Sequence, residues 1–325
     1  MANFTAIIIG CGKIAGLHDD KDNTHVYSHA HAYQVVENID LICCCDLDLN
    51  LAKSLAKKYN IDKVSKDYLG VIEEVHPDVV SICTPDVTHF TITKAILESD
   101  KVPKIIFLEK PACQNEYELN YLIELSKEKA ASIVVNHSRR FDSLHQELKL
   151  SIENNEFGKL IKADVVYYSG WQHNGVHMID TLNFLFSDKL TLLKFLGGYE
   201  SPYKDDLSLD FQCKFEENKA LVYITTMNEE FYQLFECDFK FENVRIRLED
   251  FGLRATYEKK VINSMNENVL VKIEDYFTLK ETSPMQAAVE IIVANLSKNS
   301  SLKGYLIEDI SQTMKTIWKG LEWVK

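Results

Sequence analysis

The chain has 325 residues, of which 46% are hydrophobic and 26% charged, and its formal net charge is -13. This length is comfortable for two domains. The negative charge argues against nucleic-acid binding, and no apolar run reaches the roughly 18 residues that cross a bilayer. The sequence starts with no basic leader, so we expect a cytoplasmic protein with no nucleic-acid or membrane partner.

Eight cysteines are present, and no two of them form a Cys-x-x-Cys pair. Three of them, Cys43, Cys44 and Cys45, are consecutive, so in a strand they alternate between the two faces and cannot ligate one metal ion together. We expect small, buried, reduced side chains and no metal site.

The first 136 residues alternate short, β-branched apolar runs with helical patterns. Strand runs are predicted at 5–9, 41–45, 79–83, 105–108 and 133–135. Helical patterns are predicted at 30–37, 49–59, 90–99 and 116–130. Strand–helix alternation implies right-handed crossovers and a parallel sheet, which is the Rossmann arrangement.

The pattern changes after about residue 136. A helix at 143–154, a strand at 161–168 and a helix at 174–186 precede a run of strands between 191 and 273. Consecutive strands with short turns favour a largely antiparallel open sheet. Helices near 284–297 and 307–323 close the chain. The predicted fold class is therefore α/β: a Rossmann domain at 1–136 and an α+β domain for substrate binding and oligomerisation at 137–325.

A glycine-rich turn, GCGKIA, follows the first predicted strand. Gly10 and Gly12, with Ala15 in the third small position, match the dinucleotide-binding pattern, in which a helix N-terminus faces the pyrophosphate. We therefore expect Gly10, Gly12, Lys13 and Ile14 to bind the cofactor. A tight turn without ligand is the alternative reading.

Asp46 ends the second predicted strand, and no arginine follows it. A carboxylate at this position accepts hydrogen bonds from ribose hydroxyls and repels a 2′-phosphate, which favours NAD over NADP. The stretch between the glycine turn and this strand is unusually long and carries His18, His25, His29 and His31. We expect these to be solvated loop residues, with metal or substrate binding as the open alternative.

Four segments stand in order along the chain: GCGKIA, CTPDVTH at 83–89, EKP at 109–111 and NGVHMIDTLNFL at 174–185. With these the chain resembles the glucose-fructose oxidoreductase / inositol dehydrogenase / rhizopine-catabolism (Gfo/Idh/MocA) family over nearly its whole length. The resemblance implies a Rossmann domain followed by an α/β domain with an open sheet. It also implies an NAD-dependent enzyme that moves a hydride to or from a ring carbon of a sugar or nucleotide sugar.

The resemblance also implies site residues. Thr84, Pro85 and His89 become candidate cofactor contacts, with helix-start packing as the alternative for His89. Glu109 becomes a cofactor-side contact. Lys110 becomes the acid/base group near the nicotinamide, because removal of a hydride from a carbinol needs a base for the hydroxyl proton.

His173, His177 and Asp180 follow each other at spacings of four and three, which places them on one face of a helix. His177 is the candidate proton donor or acceptor that shares the reacting group with Lys110, and Asp180 orients it or binds a substrate hydroxyl. The family usually has aspartate where this chain has His173, which leaves the partner in proton transfer open. Because His173 lies four residues before His177, we expect it to face the substrate cavity as a further catalytic and substrate-binding candidate, with Asn174 beside it. A zinc site and a buried structural histidine are the other readings of this helix.

Arg140 follows the last Rossmann strand, in a way similar to an arginine-containing segment of the family. It is a candidate for binding a substrate carboxylate or phosphate, with a domain-interface ion pair as the alternative. Two other functions stay open at this point: a non-catalytic NAD-binding sensor or scaffold, and an NAD-dependent glycosidase. Family resemblance also predicts a homodimer or homotetramer.

Overall fold

The structure is a computed structural model and describes residues 3–20, 22, 24–274, 276–277 and 282–324. The chain divides into two compact units, Met1–Asp142 with Glu281–Ser311 and Ser143–Lys280 with Gln312–Lys325. The first unit is thus discontinuous. The sequence analysis placed the boundary at residue 136 and assigned all later residues to the second domain. In the structure, residues 281–311 belong to the first unit instead.

The first unit is built on a six-stranded parallel sheet, in the order β3-β2-β1-β4-β5-β6. Its strands are β1 Phe4–Ile9, β2 Ile39–Cys45, β3 Lys63–Ser65, β4 Val79–Ile82, β5 Ile105–Leu108 and β6 Ser132–Val135. All four residues of β4 and of β5 are buried, as expected for central strands covered on both faces. This confirms the predicted Rossmann-type sheet.

Helices connect these strands: α1 His29–Val35, α2 Leu49–Tyr59, α3 Tyr68–Val75, α4 His89–Glu98 and α5 Glu116–Glu128. Local capping fixes where several begin. The Asp48 carboxylate accepts from the Asn50 N–H at the start of α2, and the Asn115 side chain does the same for Glu118 at the start of α5. The sequence analysis missed β3 and α3, because a three-residue strand and an eight-residue helix give little periodicity to detect.

Helix α8, Pro284–Leu296, explains why the first unit is discontinuous. Its buried side chains belong to the same apolar core as strand and helix residues near the N-terminus. The buried residues of α8 are Met285, Ala288, Val289, Ile292 and Val293. Each large apolar side chain that is removed from water contributes about 1.5–3 kcal/mol, so this helix completes the core of the first unit.

The second unit is built on an eight-stranded sheet in the order β14-β13-β12-β11-β7-β10-β9-β8. The strands are β7 Leu160–Tyr168, β8 Leu190–Glu200, β9 Leu207–Phe215, β10 Leu221–Met227, β11 Glu236–Phe241, β12 Val244–Glu249, β13 Arg254–Ile262 and β14 Asn268–Ile273. Only the β7–β10 pair is parallel in this sheet of the described residues, which confirms a largely antiparallel sheet.

The second sheet has one buried and one more open face. Strands such as β11 and β12 alternate buried and partly exposed residues, as expected for a sheet packed on one side. The open face carries cross-strand ion pairs, including Lys240 with Asp164 and Arg245 with Asp238. Three helices complete the unit: α6 Ser143–Glu153, α7 Val176–Phe186 and α9 Ser311–Glu322.

All eight cysteines are buried and none forms a disulfide, as the sequence predicted. Cys43 and Cys45 have their sulfur atoms 3.9 Å apart on one face of β2, while Cys44 donates from the other face to the Ala52 carbonyl. No helix in the described part of the chain is long and apolar enough to span a membrane.

Candidate functional site

The turn after β1 is shaped by two glycines with different roles. Gly10 has φ +87°, and a Cβ atom on it would lie 2.7 Å from the Thr84 backbone nitrogen, so only glycine fits between β1 and the end of β4. A Cβ atom on Gly12 would meet no atom within 4 Å. Open space at Gly12 is what a backbone that must approach a pyrophosphate requires.

The segment after this turn differs from the prediction of a helix N-terminus that faces the phosphates. A single five-residue π-helical turn, Lys13–Leu17, follows Gly12, and the first α-helix begins only at His29. Lys13 and Ile14 are exposed on this turn, while Ala15 is buried. The close helix approach occurs at Gly16, where a Cβ atom would lie 2.6 Å from Leu55.

Asp46 lies beside the glycine turn, and its carboxylate is already fixed by backbone. One oxygen accepts from the Cys11 N–H at 2.7 Å and the other from the Asp48 N–H at 2.8 Å. A carboxylate has about four acceptor positions, so two remain for ribose hydroxyls. Asp46 is partly exposed, which leaves these positions accessible.

The turn after β4 brings Thr84 against the glycine turn, with Pro85 exposed beyond it. His89, at the start of α4, was predicted to contact the cofactor. Its ring is buried, with Nδ1 2.7 Å from the Pro111 carbonyl and Nε2 2.9 Å from the Thr84 carbonyl. His89 is therefore better described as a residue that ties the turn after β4 to the turn after β5.

Glu109 and Lys110 follow β5 at the same edge of the sheet. Glu109 is buried, and its Oε1 accepts from Asn136 Nδ2 at 2.6 Å and lies 2.9 Å from His29 Nε2. Burial raises the pKa of Glu109, but the hydrogen bonds and charges of His29, Asn136 and Lys110 together hold the pKa below its usual value. Lys110 is half-buried, and its peptide bond to Pro111 is cis.

The segment between the glycine turn and β2, whose histidines were predicted to be solvated, is only partly exposed to solvent. His18 and His25 are exposed, whereas His29 and His31 are buried. His31 Nδ1 lies 3.0 Å from the carboxylate of Asp19, which also accepts from the Ser28 backbone and hydroxyl. The expectation of solvated residues was wrong for His29 and His31, because each meets a buried carboxylate that single-sequence patterns do not reveal.

Arg140 is buried within the first unit. Its guanidinium donates to the backbone carbonyls of Gly304 at 2.6 Å and Asp309 at 3.2 Å. Both carbonyls belong to the segment that returns to the first unit after α8. This geometry gives Arg140 a structural role in holding that segment and does not favour the predicted contact with substrate.

In the second unit the predicted helix 174–186 begins later, at Val176, and a π-helical turn, Gly170–Gly175, precedes it. His173 and Asn174 lie in that turn, so the α-helical spacing argument that put His173 on the face of His177 does not hold. The His173 ring stacks on Tyr203 with centroids 3.6 Å apart. Neither His173 nor His177 is sealed in the core, since both are half-buried.

Asp180 lies one turn along α7 from His177 and is buried. Its Oδ1 accepts from the Thr313 hydroxyl of α9 at 2.9 Å, and the same hydroxyl oxygen accepts from Asn183 at 3.2 Å. This burial makes direct contact with a substrate hydroxyl unfavourable for Asp180. A role in orienting His177 stays a prediction.

Comparison with known protein families shows what the first unit is similar to. Residues 4–137 match the family model GFO_IDH_MocA, described as an oxidoreductase family with an NAD-binding Rossmann fold. Residues 4–137 of the chain are thus similar to the Gfo/Idh/MocA oxidoreductase family. This confirms the family resemblance for the part of the chain that holds the first three of the four sequence segments.

Curated relatives match this chain over less than half of its length. A myo-inositol 2-dehydrogenase of Thermotoga maritima is 26% identical over 152 residues, which is 47% of this chain and 41% of the relative. A D-glucoside 3-dehydrogenase of Escherichia coli is 28% identical over 153 residues, which is 47% of this chain and 40% of the relative. The matched part thus spans about two fifths of each relative.

The fold of the chain is matched over nearly its whole length by solved structures. An oxidoreductase from Desulfitobacterium hafniense, described as NADPH-dependent, has a TM-score of 0.80 at 17% identity and covers 99% of this chain and 96% of its own. At this identity the likeness concerns the fold alone.

The sequence analysis missed one residue of the second unit, Asp206, because it lies far along the chain from the segment that it holds. Asp206, at the end of the β8–β9 connection, accepts from the N–H groups of Gln172 and His173 at 3.0 and 2.9 Å. Burial raises the pKa of Asp206, and these backbone hydrogen bonds partly oppose the shift. A solitary aspartate in a turn gives no signal for this role.

Proposed function

We propose that this chain is an NAD-dependent oxidoreductase that transfers a hydride to or from a ring carbon of a sugar, nucleotide sugar or cyclic polyol. The observation that carries the proposal is the edge of the parallel sheet in the first unit. There the open space at Gly12, the partly free carboxylate of Asp46 and the side chain of Lys110 follow β1, β2 and β5. Ligands bind at this edge in open α/β sheets.

The residues present suit a dinucleotide. Gly12 offers backbone without a side chain in the way, and Asp46 offers acceptors to ribose hydroxyls and a negative charge against a 2′-phosphate. We therefore propose NAD rather than NADP, although the D. hafniense protein of similar fold is described as NADPH-dependent. A bound nicotinamide supplies a carbon that accepts or donates the hydride.

Lys110 and His177 are proposed as the acid/base groups. Oxidation of a hydroxyl carbon leaves a proton on oxygen, and an amine or imidazole within hydrogen-bonding reach takes it up. The ring-carbon chemistry follows the names of the T. maritima and E. coli relatives, which act on myo-inositol and on D-glucosides. Assembly into a homodimer or homotetramer stays a prediction, for which light scattering is the measurement.

The proposal is tested with purified protein, NAD⁺, and a panel of myo-inositol, methyl glucosides and UDP-sugars. Lys110→Met and, separately, His177→Asn are expected to lower turnover about 10²-fold or more, the usual worth of positioned acid/base catalysis, with NADH affinity nearly unchanged. Lys101→Met, which removes an exposed lysine ahead of β5, is the matched control. Wild-type turnover in Lys110→Met would contradict the role of Lys110, and a hydrolysed product would point to glycosidase chemistry.

A further inference from the structure

A row of buried polar side chains lies behind Glu109 in the first unit. Tyr33 and His29 come from α1, Ser81 from β4, Glu109 from the end of β5, and Asn136 from the end of β6. All five are at least nine-tenths buried, and none was joined to another by the sequence patterns. Because buried polar groups are costly unless they are paired, such a row has to be satisfied internally.

The hydrogen bonds from Tyr33 through Ser81 and His29 to Glu109 can all run in one direction. The ionised carboxylate of Glu109 only accepts, so His29 Nε2, 2.9 Å away, is the donor. A neutral ring with its proton on Nε2 accepts at Nδ1, and the Ser81 hydroxyl lies 3.1 Å from Nδ1.

At the far end of the row, the Tyr33 hydroxyl lies 2.8 Å from the Ser81 oxygen and can donate to it. The His29 ring is also held by packing, with its centroid 4.6 Å from that of Phe107 on β5. The imidazole is thus held in its plane, with Nε2 directed at Glu109.

Besides His29, the neighbouring residues Lys110, Cys83 and Asn136 interact with Glu109. Lys110 adjoins it in sequence, and the positive charge of Lys110 lowers the pKa of Glu109. Cys83, after β4, faces it with a buried thiol, whose pKa is raised by burial and by the charge of Glu109. Asn136 is uncharged, and its amide also lies 3.9 Å from the Met285 sulfur of α8. His29, Asn136 and Lys110 thus all favour the ionised form of Glu109.

We propose that His29 is a positioning residue for Lys110 and acts through Glu109. The hydrogen bond from His29 holds the buried, ionised Glu109 carboxylate in place, and this fixed negative charge sets the proton affinity of the adjacent Lys110 amine. The inference rests on the proposed acid/base role of Lys110. It gives the unusual segment between the glycine turn and α1 a task, because that segment delivers His29 to the sheet edge.

The test is an NMR titration of the full-length protein, labelled with ¹³C and ¹⁵N in lysine, in which the Lys110 resonance is assigned by its absence in Lys110→Met. In Glu109→Gln we expect the apparent pKa of Lys110 to fall by about one pH unit, because an opposite charge nearby is lost. His29→Leu should lower it in the same direction but by less, because the Glu109 carboxylate keeps its charge and loses the donor that holds it in place. The double variant should lower it no further than Glu109→Gln alone.

His29→Gln, which keeps an N–H donor on a side chain of similar reach, should titrate close to wild type, whereas a merely structural histidine would not be rescued in this way. A wild-type Lys110 titration in His29→Leu or in Glu109→Gln overturns the proposal. Should His29→Leu fail to fold, Ser81→Ala removes the hydrogen-bond partner of His29 Nδ1 and should lower the apparent pKa of Lys110 by a smaller amount. A Lys110 titration in Ser81→Ala that equals wild type also overturns the proposal. The titration uses no substrate, so failure of the proposed function, seen as no turnover by wild type, is distinguished from failure of this inference.

Discussion

Asp46 shows how one side chain can serve both the fold and the choice of cofactor. Its two oxygens hold the N–H groups of Cys11 and Asp48, which fixes the glycine turn relative to β2. Under the proposed function, the acceptor positions that remain bind a ribose. The same negative charge would disfavour a phosphate on that ribose.

The first prediction concerns this selectivity. Wild type is expected to bind NADH about tenfold or more tightly than NADPH, a difference of about 1.4 kcal/mol. Asp46→Asn should lose most of that preference because the charge is removed while one acceptor oxygen is kept. Asp48→Asn, which removes a neighbouring charge and still suits the start of α2, is the control. Fluorescence titration at low ionic strength measures both affinities, and equal affinities in wild type would refute the role of Asp46.

Asp19 carries the second prediction at this scale. Burial raises the pKa of this carboxyl, but hydrogen bonds from Tyr27, His31 and Ser28 outweigh it and hold the pKa below its usual value. A depressed folded-state pKa stabilises the protein above the unfolded-state pKa of about 3.9, and this stabilisation is lost as pH falls through the folded value.

Asp19→Asn should therefore lower the free energy of unfolding at pH 7, with the deficit shrinking as the pH approaches 4 and below. Urea denaturation across that range measures it. Asp20→Asn, at the exposed neighbouring position, should leave the pH dependence of wild type intact. A deficit that is constant with pH would mean that the charge of Asp19 contributes nothing.

At the scale of elements, the π-helical turn Gly170–Gly175 is held by a residue from another connection. Each oxygen of Asp206 accepts one backbone N–H of this turn. Gly170, at φ +83°, leaves room for that carboxylate, since a Cβ atom there would overlap it. His173 belongs to this turn, so the conformation of the turn determines where the His173 ring stacks on Tyr203.

The third prediction tests this cap. Asp206→Asn places an NH₂ group against a backbone N–H and loses one acceptor, so we expect a loss of about 1–3 kcal/mol in the free energy of unfolding. Faster hydrogen exchange at residues 170–175 should accompany it. Asp205→Asn, at the exposed adjacent position, should change neither. Protection of the turn equal to wild type in Asp206→Asn would show that other contacts hold it.

At the scale of the whole molecule, the chain leaves the first unit after Asp142 and returns to it for residues Glu281–Ser311. The returning segment supplies α8 to the core and the two carbonyls that Arg140 binds. Residues about 150 positions apart in the sequence thus stabilise the first unit. Helix α9 begins at the end of this segment and forms hydrogen bonds within the second unit, through the Ile317 carbonyl and the Thr313 hydroxyl.

The fourth prediction separates the units with matched substitutions. Ile292 in α8 and Ile317 in α9 are both buried, and each change to Ala should cost about 2–5 kcal/mol. Ile292→Ala should raise hydrogen exchange mainly within residues 3–142 and weaken NADH binding. Ile317→Ala should raise exchange mainly within 143–274. Identical exchange patterns for the two variants would contradict the division into two units.

Local sequence patterns predicted much of this molecule. The five strand runs of the first unit, the glycine turn, Asp46 at the end of β2 and Lys110 after β5 follow from short-range periodicity and from a motif whose function depends on adjacent residues. The run of strands with short turns predicted the largely antiparallel sheet of the second unit, and the family resemblance implied the same architecture. Helix ends with a clear cap, such as Asp48 before α2, were also predictable from a few neighbouring residues.

What tertiary structure alone decided are the contacts between residues far apart in sequence. Nothing local to His29, Arg140, Asp206 or α8 indicates that they meet Glu109, Gly304, the turn at 170–175 and the core of the first unit. Hydrophobic periodicity indicates which face of a helix or strand is apolar. It does not indicate which buried carboxylate or carbonyl a side chain of that element will contact in the folded protein. The sequence by itself therefore determined the parallel sheet and its cofactor turn, because these depend on neighbouring residues. The positions of the buried polar side chains depend on tertiary structure, because each of them needs a hydrogen-bond partner that only the folded chain brings near.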